Sequence, residues 1–353
     1  MPAAIFGRAV SHPYENLDQR QFWAPAVGQR PALDIADLWR PRFEITAQDR
    51  IVTFGSCFAQ HIGRALSAHG FGWTDFEPAP PLLTRDEAAA FNFGIFSART
   101  GNIYTARMLR QWVGWAMGDA TLPGEVWLRD GRFYDPFRPA IEPGGFASAD
   151  EVAQAREMAF EAFRAAITST DLFIFTLGLT ESWRNLGGAY EYAICPGVVA
   201  GTFDPALHGF HNAPCAEVLT DLTAALTRIR SVNPAVRVLL TVSPVPLTAT
   251  ASGQHVLLAT THSKAVLRAV ASALEGDGVD YFPSFEIITA PVFGGRFYAE
   301  NRRSVTAEGV AHVMAQFFAG IGGGQVPLAP PLPDQFDDLV CEEQILAAFA
   351  QRA

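Results

Sequence analysis

Ser56 and Cys57 lie side by side where an apolar strand pattern gives way to a helix pattern. The stretch IVTFGSCFAQHIGRAL begins at Ile51, and Gly55 predicts a tight turn before the helix. A helix amino terminus offers N–H groups that stabilise an oxyanion, and it lowers the pKa of a thiol. Either side chain is therefore a candidate nucleophile, and we prefer Ser56. The alternatives are an N-cap serine and a small buried cysteine.

Apolar strand patterns alternate with helix patterns along the chain. The further predicted strands are DLFIFTLG, VRVLLTVSP and VDYFPS, each preceded by a helical segment. This alternation predicts an α/β fold with a parallel sheet that is covered on both faces. In such sheets ligands bind beyond the carboxyl ends of the strands. The small or polar sets at those ends are residues 55–57, 178–181, 243–245 and 284–286.

The chain divides into an arm, a body and a tail. Residues 1–50 predict an aromatic-rich N-terminal arm that wraps the body, because free tails rarely carry so many aromatics. Residues 51–320 form the predicted domain, with loop-rich insertions at about 72–150 and 183–214. Residues 321–353 begin Pro/Gly-rich and predict a surface tail that ends in a short helix.

Composition excludes several classes of function. The chain has 353 residues, a net charge of -10 and four cysteines without zinc-type spacing. An acidic chain argues against general nucleic-acid binding, which needs a basic face. We expect no disulfide framework, metal site or cofactor, because the sequence lacks metal-type spacing, GxGxxG and P-loop strings. Without a signal peptide pattern or a spanning apolar run, we expect a cytoplasmic protein.

The string GSCFA at residues 55–59 resembles the signature of the GSCFA family, which is named for it. The resemblance covers roughly residues 50–318. It includes FSARTGNIYTARML, FTLGLTESWRN, LLTVSPVPL, SKAVLRA and YFPSFEIIT. The family in turn resembles the SGNH/GDSL hydrolases. That likeness implies a three-layer α/β/α, flavodoxin-like fold and a serine nucleophile that is completed by an Asp-x-x-His string.

The resemblance also assigns roles to individual residues. Ser56 matches the nucleophile, and its own N–H would be one oxyanion donor. Gly101 falls where a second donor is expected, with Asn102 beside it. Gly178 matches the glycine of the third block. The asparagine of that block is replaced here by Thr180 or a close neighbour.

The last block departs from the family pattern. In FYAENRRSVTAEGV, Asn301 stands at the aspartate position and Ser304 at the histidine position. Serine cannot accept a proton near neutral pH, and asparagine cannot stabilise an imidazolium. The usual triad is therefore absent from its usual place. The neighbouring Arg302 and Arg303 are candidate ligands of an anionic group or solvated loop residues.

Three explanations of this departure remain open. In the first, the base has moved to His255, our preferred histidine, or to His262, His208 or His211, with Glu181 as an orienting or substrate-binding carboxylate. In the second, Lys264 acts as a base of the Ser–Lys type, which needs a lowered pKa. In the third, the protein binds an acyl or glycan ligand without turning it over. His61 is expected at the surface, pointing away from the turn.

The leading hypothesis is an O-acyl esterase or acyltransferase. Its expected partner is a small-molecule or glycan acyl ester, by analogy with the SGNH enzymes. The alternative is a catalytically degenerate glycan- or acyl-binding protein of polysaccharide assembly.

Overall fold

A four-stranded parallel sheet forms the centre of the protein. The computed structural model describes residues 12–322 and 341–350. The strands are β1 (Ile51–Gly55), β2 (Trp127–Arg129), β3 (Arg132–Tyr134), β4 (Leu172–Leu177), β5 (Glu181–Asn185), β6 (Glu191–Tyr192), β7 (His208–Asn212), β8 (Arg237–Val242) and β9 (Val279–Phe282). The central sheet has the order β1-β4-β8-β9.

Helices join these strands and cover the sheet. They are α1 (Phe58–Ala68), α2 (Arg85–Ala90), α3 (Ala106–Met117), α4 (Ala149–Ser169), α5 (Cys215–Val232), α6 (Val256–Leu274), α7 (Ser284–Thr289), α8 (Ala307–Gly320) and α9 (Ala347–Ala350). Among the described residues, no helix is both long and apolar enough to cross a bilayer.

Each central strand buries side chains on both faces. In β4, Phe173 and Phe175 belong to one core, whereas Leu172 and Ile174 belong to the core on the opposite face. Because side chains alternate along a strand, this division places a packed layer above and below the sheet. Helices α3 to α6 contribute to the first core, and α1, α7 and α8 contribute to the second. The predicted α/β/α architecture is thus confirmed.

A buried ion cluster anchors the insertion that spans residues 72–150. Asp135 accepts hydrogen bonds from Arg138 Nε at 2.8 Å and from Arg156 Nη2 at 2.9 Å. Burial alone would raise the pKa of Asp135, but the two guanidiniums hold it below its usual range. Arg138 also donates to the Arg99 carbonyl at 2.9 Å. This cluster fixes the chain just before Gly101.

The described part of the N-terminal arm lies against the body. Ile35, Trp39 and Ile45 are buried in the core that α1 and α8 share. The Trp39 indole N–H donates to the buried Asp280 carboxylate at 3.2 Å. The first 11 residues of the predicted arm, and residues 323–340 and 351–353 of the predicted tail, lie outside the described residues.

Candidate active site

The turn between β1 and α1 requires a glycine. Gly55 has φ +124°, and a Cβ there would lie 2.2 Å from the Thr176 carbonyl oxygen. No other residue fits that approach without moving β4. Cys57, not Ser56, takes the N-cap position of α1, and its side chain makes no cap hydrogen bond.

Ser56 is buried immediately after this glycine. Its side chain is 3% exposed, and no partner among the described residues hydrogen-bonds its Oγ. A side-chain cap therefore does not explain this serine. Its backbone N–H donates to the Thr176 carbonyl at 3.0 Å, as part of the sheet ladder. The expectation that this amide is a free oxyanion donor is therefore wrong for this structure.

Gly178 lies between Ser56 and Lys264. A Cβ on Gly178 would be 2.9 Å from Ser56 Cβ and 3.1 Å from the Tyr104 carbonyl oxygen, so the loop after β4 packs directly on the serine. The Lys264 ammonium donates to the Gly178 carbonyl at 2.7 Å. Both candidate catalytic side chains thus contact one residue.

Lys264 is 3% exposed. Burial lowers the pKa of its ammonium to about 8, although Glu343 and Cys57 oppose that change and Arg303 reinforces it. Burial disfavours the charged form of an amine, which brings it toward the range of a useful base.

Lys264 is also the only lysine in a chain with 26 lysines and arginines together. Arginine cannot lose its proton in a protein, whereas lysine shifts its pKa readily when buried. A single lysine in a chain that otherwise uses arginine is thus a further signal, visible in the sequence, that favours Lys264 over the histidines.

The loop after β4 is held by α6. The Thr180 N–H donates to Ser263 Oγ at 3.0 Å, and the Thr180 hydroxyl donates to Asn212 Oδ1 at 2.7 Å. Thr180 is therefore committed to structure rather than to a substrate. Glu181 accepts a hydrogen bond from the Thr250 hydroxyl at 2.8 Å, and burial raises the pKa of its carboxyl.

Asn102 and Tyr104 together hold a carboxylate. Asn102 Nδ2 and the Tyr104 hydroxyl each donate to Glu342 Oε2 at 2.7 Å. We call these two donors the cradle. Gln60 Nε2 donates to Asn102 Oδ1 at 3.2 Å, which turns the amide N–H groups toward Glu342. Gly101, with φ +66°, borders the cradle, because a Cβ there would lie 3.6 Å from Glu342 Oε1.

Glu342 reaches the cradle from a C-terminal 3-10 helix, Glu342–Leu346. We call residues 341–346 the C-terminal turn. Glu342 is 1% exposed, and burial raises the pKa of its carboxyl. The expectation of a surface tail is thus wrong for this turn. Neither Tyr104 nor Glu342 is among the residues that the sequence predicts, since no motif links positions so far apart.

Arg303 lies beside the C-terminal turn. Its Nη2 donates to Glu343 Oε2 at 3.2 Å and its Nε donates to the Pro246 carbonyl at 3.1 Å. Burial and the neighbouring Cys341 raise the pKa of Glu343 to about 7, against the opposing effect of Arg303. Of the two arginines in the last block, Arg303 therefore faces the site.

Asn301 and Ser304, where the resemblance predicts an aspartate and a histidine, contact each other. Asn301 Nδ2 donates to Ser304 Oγ at 2.9 Å, and Asn301 Oδ1 accepts the N–H groups of Arg303 and Ser304, each at 2.9 Å. Asn301 is exposed. These bonds close a local turn and supply no base.

Three of the four candidate histidines are bonded elsewhere, and the fourth is exposed. His255 is exposed at the N-cap of α6, where its Nδ1 accepts the Leu257 N–H at 3.1 Å. His208 Nδ1 accepts the Asp204 N–H at 3.0 Å, and His211 Nε2 lies 2.9 Å from Glu217. His262 is exposed on α6. The structure gives no support to His255 as a relocated base.

His61 is not at the surface as expected. It is 7% exposed and packs edge-on against Phe58. Burial, followed by the charge of Arg64, lowers its pKa to about 3, so this imidazole is neutral at ordinary pH.

A cleft of about 310 Å³ opens beside the cradle. Tyr104 and Glu343 border it, and its walls are mainly apolar, including Leu179, Trp183 and Leu247. Leu346 and Phe349 close it from the C-terminal side. Glu181 contributes a carboxylate to this lining. Among residues 12–322 and 341–350, no cluster of three or more His, Cys, Asp or Glu side chains could hold a metal ion.

The fold and the buried serine at a strand-to-helix turn define an α/β protein with its candidate site at the carboxyl edge of a parallel sheet. The GSCFA family model matches residues 50–317, so the chain belongs to the GSCFA family. No curated protein and no solved structure matches the chain.

Proposed function

We propose that this protein is an SGNH-like serine O-acyl esterase or acyltransferase with a Ser–Lys pair. One observation carries the proposal: the buried Ser56 side chain packs through its Cβ on Gly178, whose carbonyl accepts a hydrogen bond from the only lysine of the chain at 2.7 Å. A nucleophilic serine needs an adjacent base, and a desolvated lysine can serve as one. Lys264 takes the place of the missing histidine.

The reaction begins with neutral Lys264. In this structure Nζ bonds the Gly178 carbonyl and Ser56 Oγ has no partner among the described residues, so Nζ must first turn to Ser56. It then accepts the Ser56 proton while Ser56 Oγ attacks the acyl carbonyl carbon. The carbonyl oxygen becomes an oxyanion, which Asn102 Nδ2 and the Tyr104 hydroxyl stabilise after Glu342 has left the cradle. The intermediate collapses, the C–O bond to the leaving alkoxide breaks, and Lys264 returns the proton to it. Water or an acceptor hydroxyl then releases the acyl group from Ser56 by the reverse sequence.

The cleft beside the cradle suits an apolar acyl group. Its volume and apolar walls are those of a small-molecule site, and Glu181 adds one polar contact. The carbohydrate part of the proposed substrate rests on the likeness to SGNH enzymes rather than on a contact. Hydrolysis and transfer differ only in the nucleophile that attacks the acyl-serine.

A second candidate is a binding protein that holds an acylated or carboxylated glycan. The observation that favours it is Glu342, whose carboxylate already fills the cradle that an oxyanion would need. The replacement of the family's last-block carboxylate and histidine by Asn301 and Ser304 supports the same candidate.

Covalent labelling separates the two candidates. We would treat the full chain with a fluorophosphonate probe and locate the adduct by peptide mass spectrometry. The expected result is an adduct on Ser56 that Ser56→Ala and Lys264→Met abolish. Ser67→Ala is the matched control, because Ser67 is an exposed serine on the helix that follows Ser56.

Two results would count against the enzyme. Labelling of Ser56 that persists in Lys264→Met would remove lysine as the base. Absence of any adduct on Ser56 in the wild-type protein, with the fold intact by circular dichroism, would favour the binding protein.

A further inference from the structure

Two cysteines from distant parts of the chain meet at the candidate site. Cys57 precedes α1 and is buried, whereas Cys341 begins the C-terminal turn and is partly exposed. The C-terminal turn lies against the start of α1, because Glu342 accepts a hydrogen bond from Asn102, which in turn accepts one from Gln60 of α1. Each thiol shifts the pKa of the other, and both cysteines are free. The Tyr104 hydroxyl donates to Cys341 Sγ at 3.8 Å.

The two thiols differ in chemistry. Contact with the Cys57 thiol, and then the nearby Arg303 guanidinium, lowers the pKa of Cys341 against the effect of burial. Contact with Cys341, together with burial, raises the pKa of Cys57. A thiolate is the reactive form of cysteine, and redox-sensitive thiolates are accessible and lie beside a second cysteine. The pair therefore has one reactive and one resolving member.

We propose that Cys57 and Cys341 are a redox-active pair that a hydroperoxide converts into an intramolecular disulfide. The Cys341 thiolate attacks the peroxide, so that an S–O bond forms, the O–O bond breaks and hydroxide or alkoxide leaves. The leaving group takes up the proton that the Cys341 thiol released on ionisation and departs as water or alcohol. Cys57 then attacks the sulfur of the resulting sulfenic acid. The S–S bond forms, the S–O bond breaks, and the hydroxide leaves as water with the Cys57 proton. Two electrons from the two thiols reduce one hydroperoxide.

The disulfide would also hold the cradle closed. Glu342 follows Cys341 directly, so a bond from Cys341 to Cys57 keeps its carboxylate on Asn102 and Tyr104. An acyl carbonyl then cannot reach the same donors. This consequence rests on the proposed function, whereas the disulfide itself does not.

The experiment uses the full chain with all thiols first reduced. Hydrogen peroxide is added, remaining thiols are alkylated, and the protein is digested without reductant. We expect the intact mass to fall by two hydrogens and one crosslinked species to join the peptides of Cys57 and Cys341. Cys57→Ser and Cys341→Ser each abolish it. Cys215→Ser is the matched control, because Cys215 is exposed at the start of α5. This variant should still form the crosslink.

A crosslink that involves Cys195 or Cys215 instead would overturn the proposal, as would peroxide treatment that leaves both thiols free or stops at an oxyacid of Cys341.

A second readout tests whether the disulfide holds the cradle closed. Oxidised protein is expected to lose fluorophosphonate labelling of Ser56, and dithiothreitol to restore it. If reduced protein is never labelled, the proposed function fails while the crosslink still decides the redox pair. If oxidised protein is labelled as fast as reduced protein, the disulfide does not close the cradle.

Discussion

The turn after β1 and the loop before α8 carry the first and last family motifs, and they differ in what surrounds them. At the first, Gly55 packs on Thr176 and Gly178 packs on Ser56, and neither glycine has room for an added carbon atom. At the last, Asn301 is exposed and bonded only within its own turn. The first carries the string GSCFA, and the last carries Asn301 and Ser304 where the resemblance predicts an aspartate and a histidine.

This difference follows from packing. A residue whose Cβ would collide with a neighbouring backbone cannot change without displacing a strand, whatever its role in chemistry. An exposed turn tolerates substitution because nothing packs on its side chains. We call the buried, tightly packed part of the site, with Gly55, Ser56, Gly178 and Lys264, its rigid half. The turn at Asn301 and the C-terminal turn form its open half.

The largest effect is expected from Gly55→Ala. The added Cβ meets the Thr176 carbonyl oxygen at 2.2 Å from a backbone with φ +124°. We expect the free energy of unfolding to fall by about 3 kcal/mol or more. Urea denaturation followed by circular dichroism measures it. Gly124→Ala, at an exposed position with no atom within 4 Å of the new Cβ, is the control and should change stability by at most about 0.5 kcal/mol. Equal effects of the two substitutions would show that the turn is not packed as described.

The next effect concerns Lys264, the proposed base on the rigid half. Because burial lowers the pKa of Lys264 to about 8, the neutral amine becomes abundant as pH rises through that value. The groups that face it are Glu343, Cys57 and Arg303. Labelling of Ser56 should therefore increase with pH and level off above about pH 8. Lys264→Arg keeps the charge but cannot release a proton, so we expect a loss of about 100-fold or more.

The measurement is the initial rate of fluorophosphonate labelling between pH 6 and pH 10, in wild-type protein and in Lys264→Arg, with circular dichroism to confirm the fold at each end. A flat profile, or an arginine variant that labels like the wild type, would remove Lys264 from the reaction and leave it a structural residue that holds Gly178.

Local sequence patterns predict the rigid half of the site well. The strand, the glycine turn and the buried serine follow from a few adjacent residues, and the alternation of helices and strands predicts the sheet. The sequence predicts Asn102 at the site, but its contact with Glu342 could not be predicted, since the two residues are 240 positions apart and meet only through tertiary packing. Among the histidines, loop position favours His255 as the base, because the sequence gives no sign that its Nδ1 caps a helix.

A smaller effect is expected on the open half, from Glu342→Ala. Removing the carboxylate frees Asn102 and Tyr104 for an incoming group, at the cost of two hydrogen bonds that hold the C-terminal turn. While Glu342 occupies the cradle, a ligand cannot bind there. The apparent affinity for that ligand therefore falls in proportion to the fraction of molecules whose cradle is empty. We expect labelling of Ser56 to rise about threefold to tenfold. Glu343→Ala serves as the comparison, since Glu343 bonds Arg303 and not the cradle. Slower labelling in Glu342→Ala would mean that Glu342 assists the chemistry instead of blocking it.

The smallest effect is expected at the family's histidine position. Ser304→Ala removes the oxygen that accepts the Asn301 amide N–H at 2.9 Å in an exposed turn, and Asn301 Oδ1 keeps its two backbone bonds. We expect stability to change by at most about 0.5 kcal/mol. Labelling of Ser56 should stay within about twofold of wild type, which corresponds to about 0.4 kcal/mol in activation free energy. Denaturation and labelling rates on the same preparations check both values, with Ser56→Ala as the contrasting substitution. A tenfold loss of labelling in Ser304→Ala would place the last motif back in the reaction. The contrast between a rigid, retained half and an open, replaced half would then be wrong, because the exposed turn would be acting on Ser56 despite having lost its histidine.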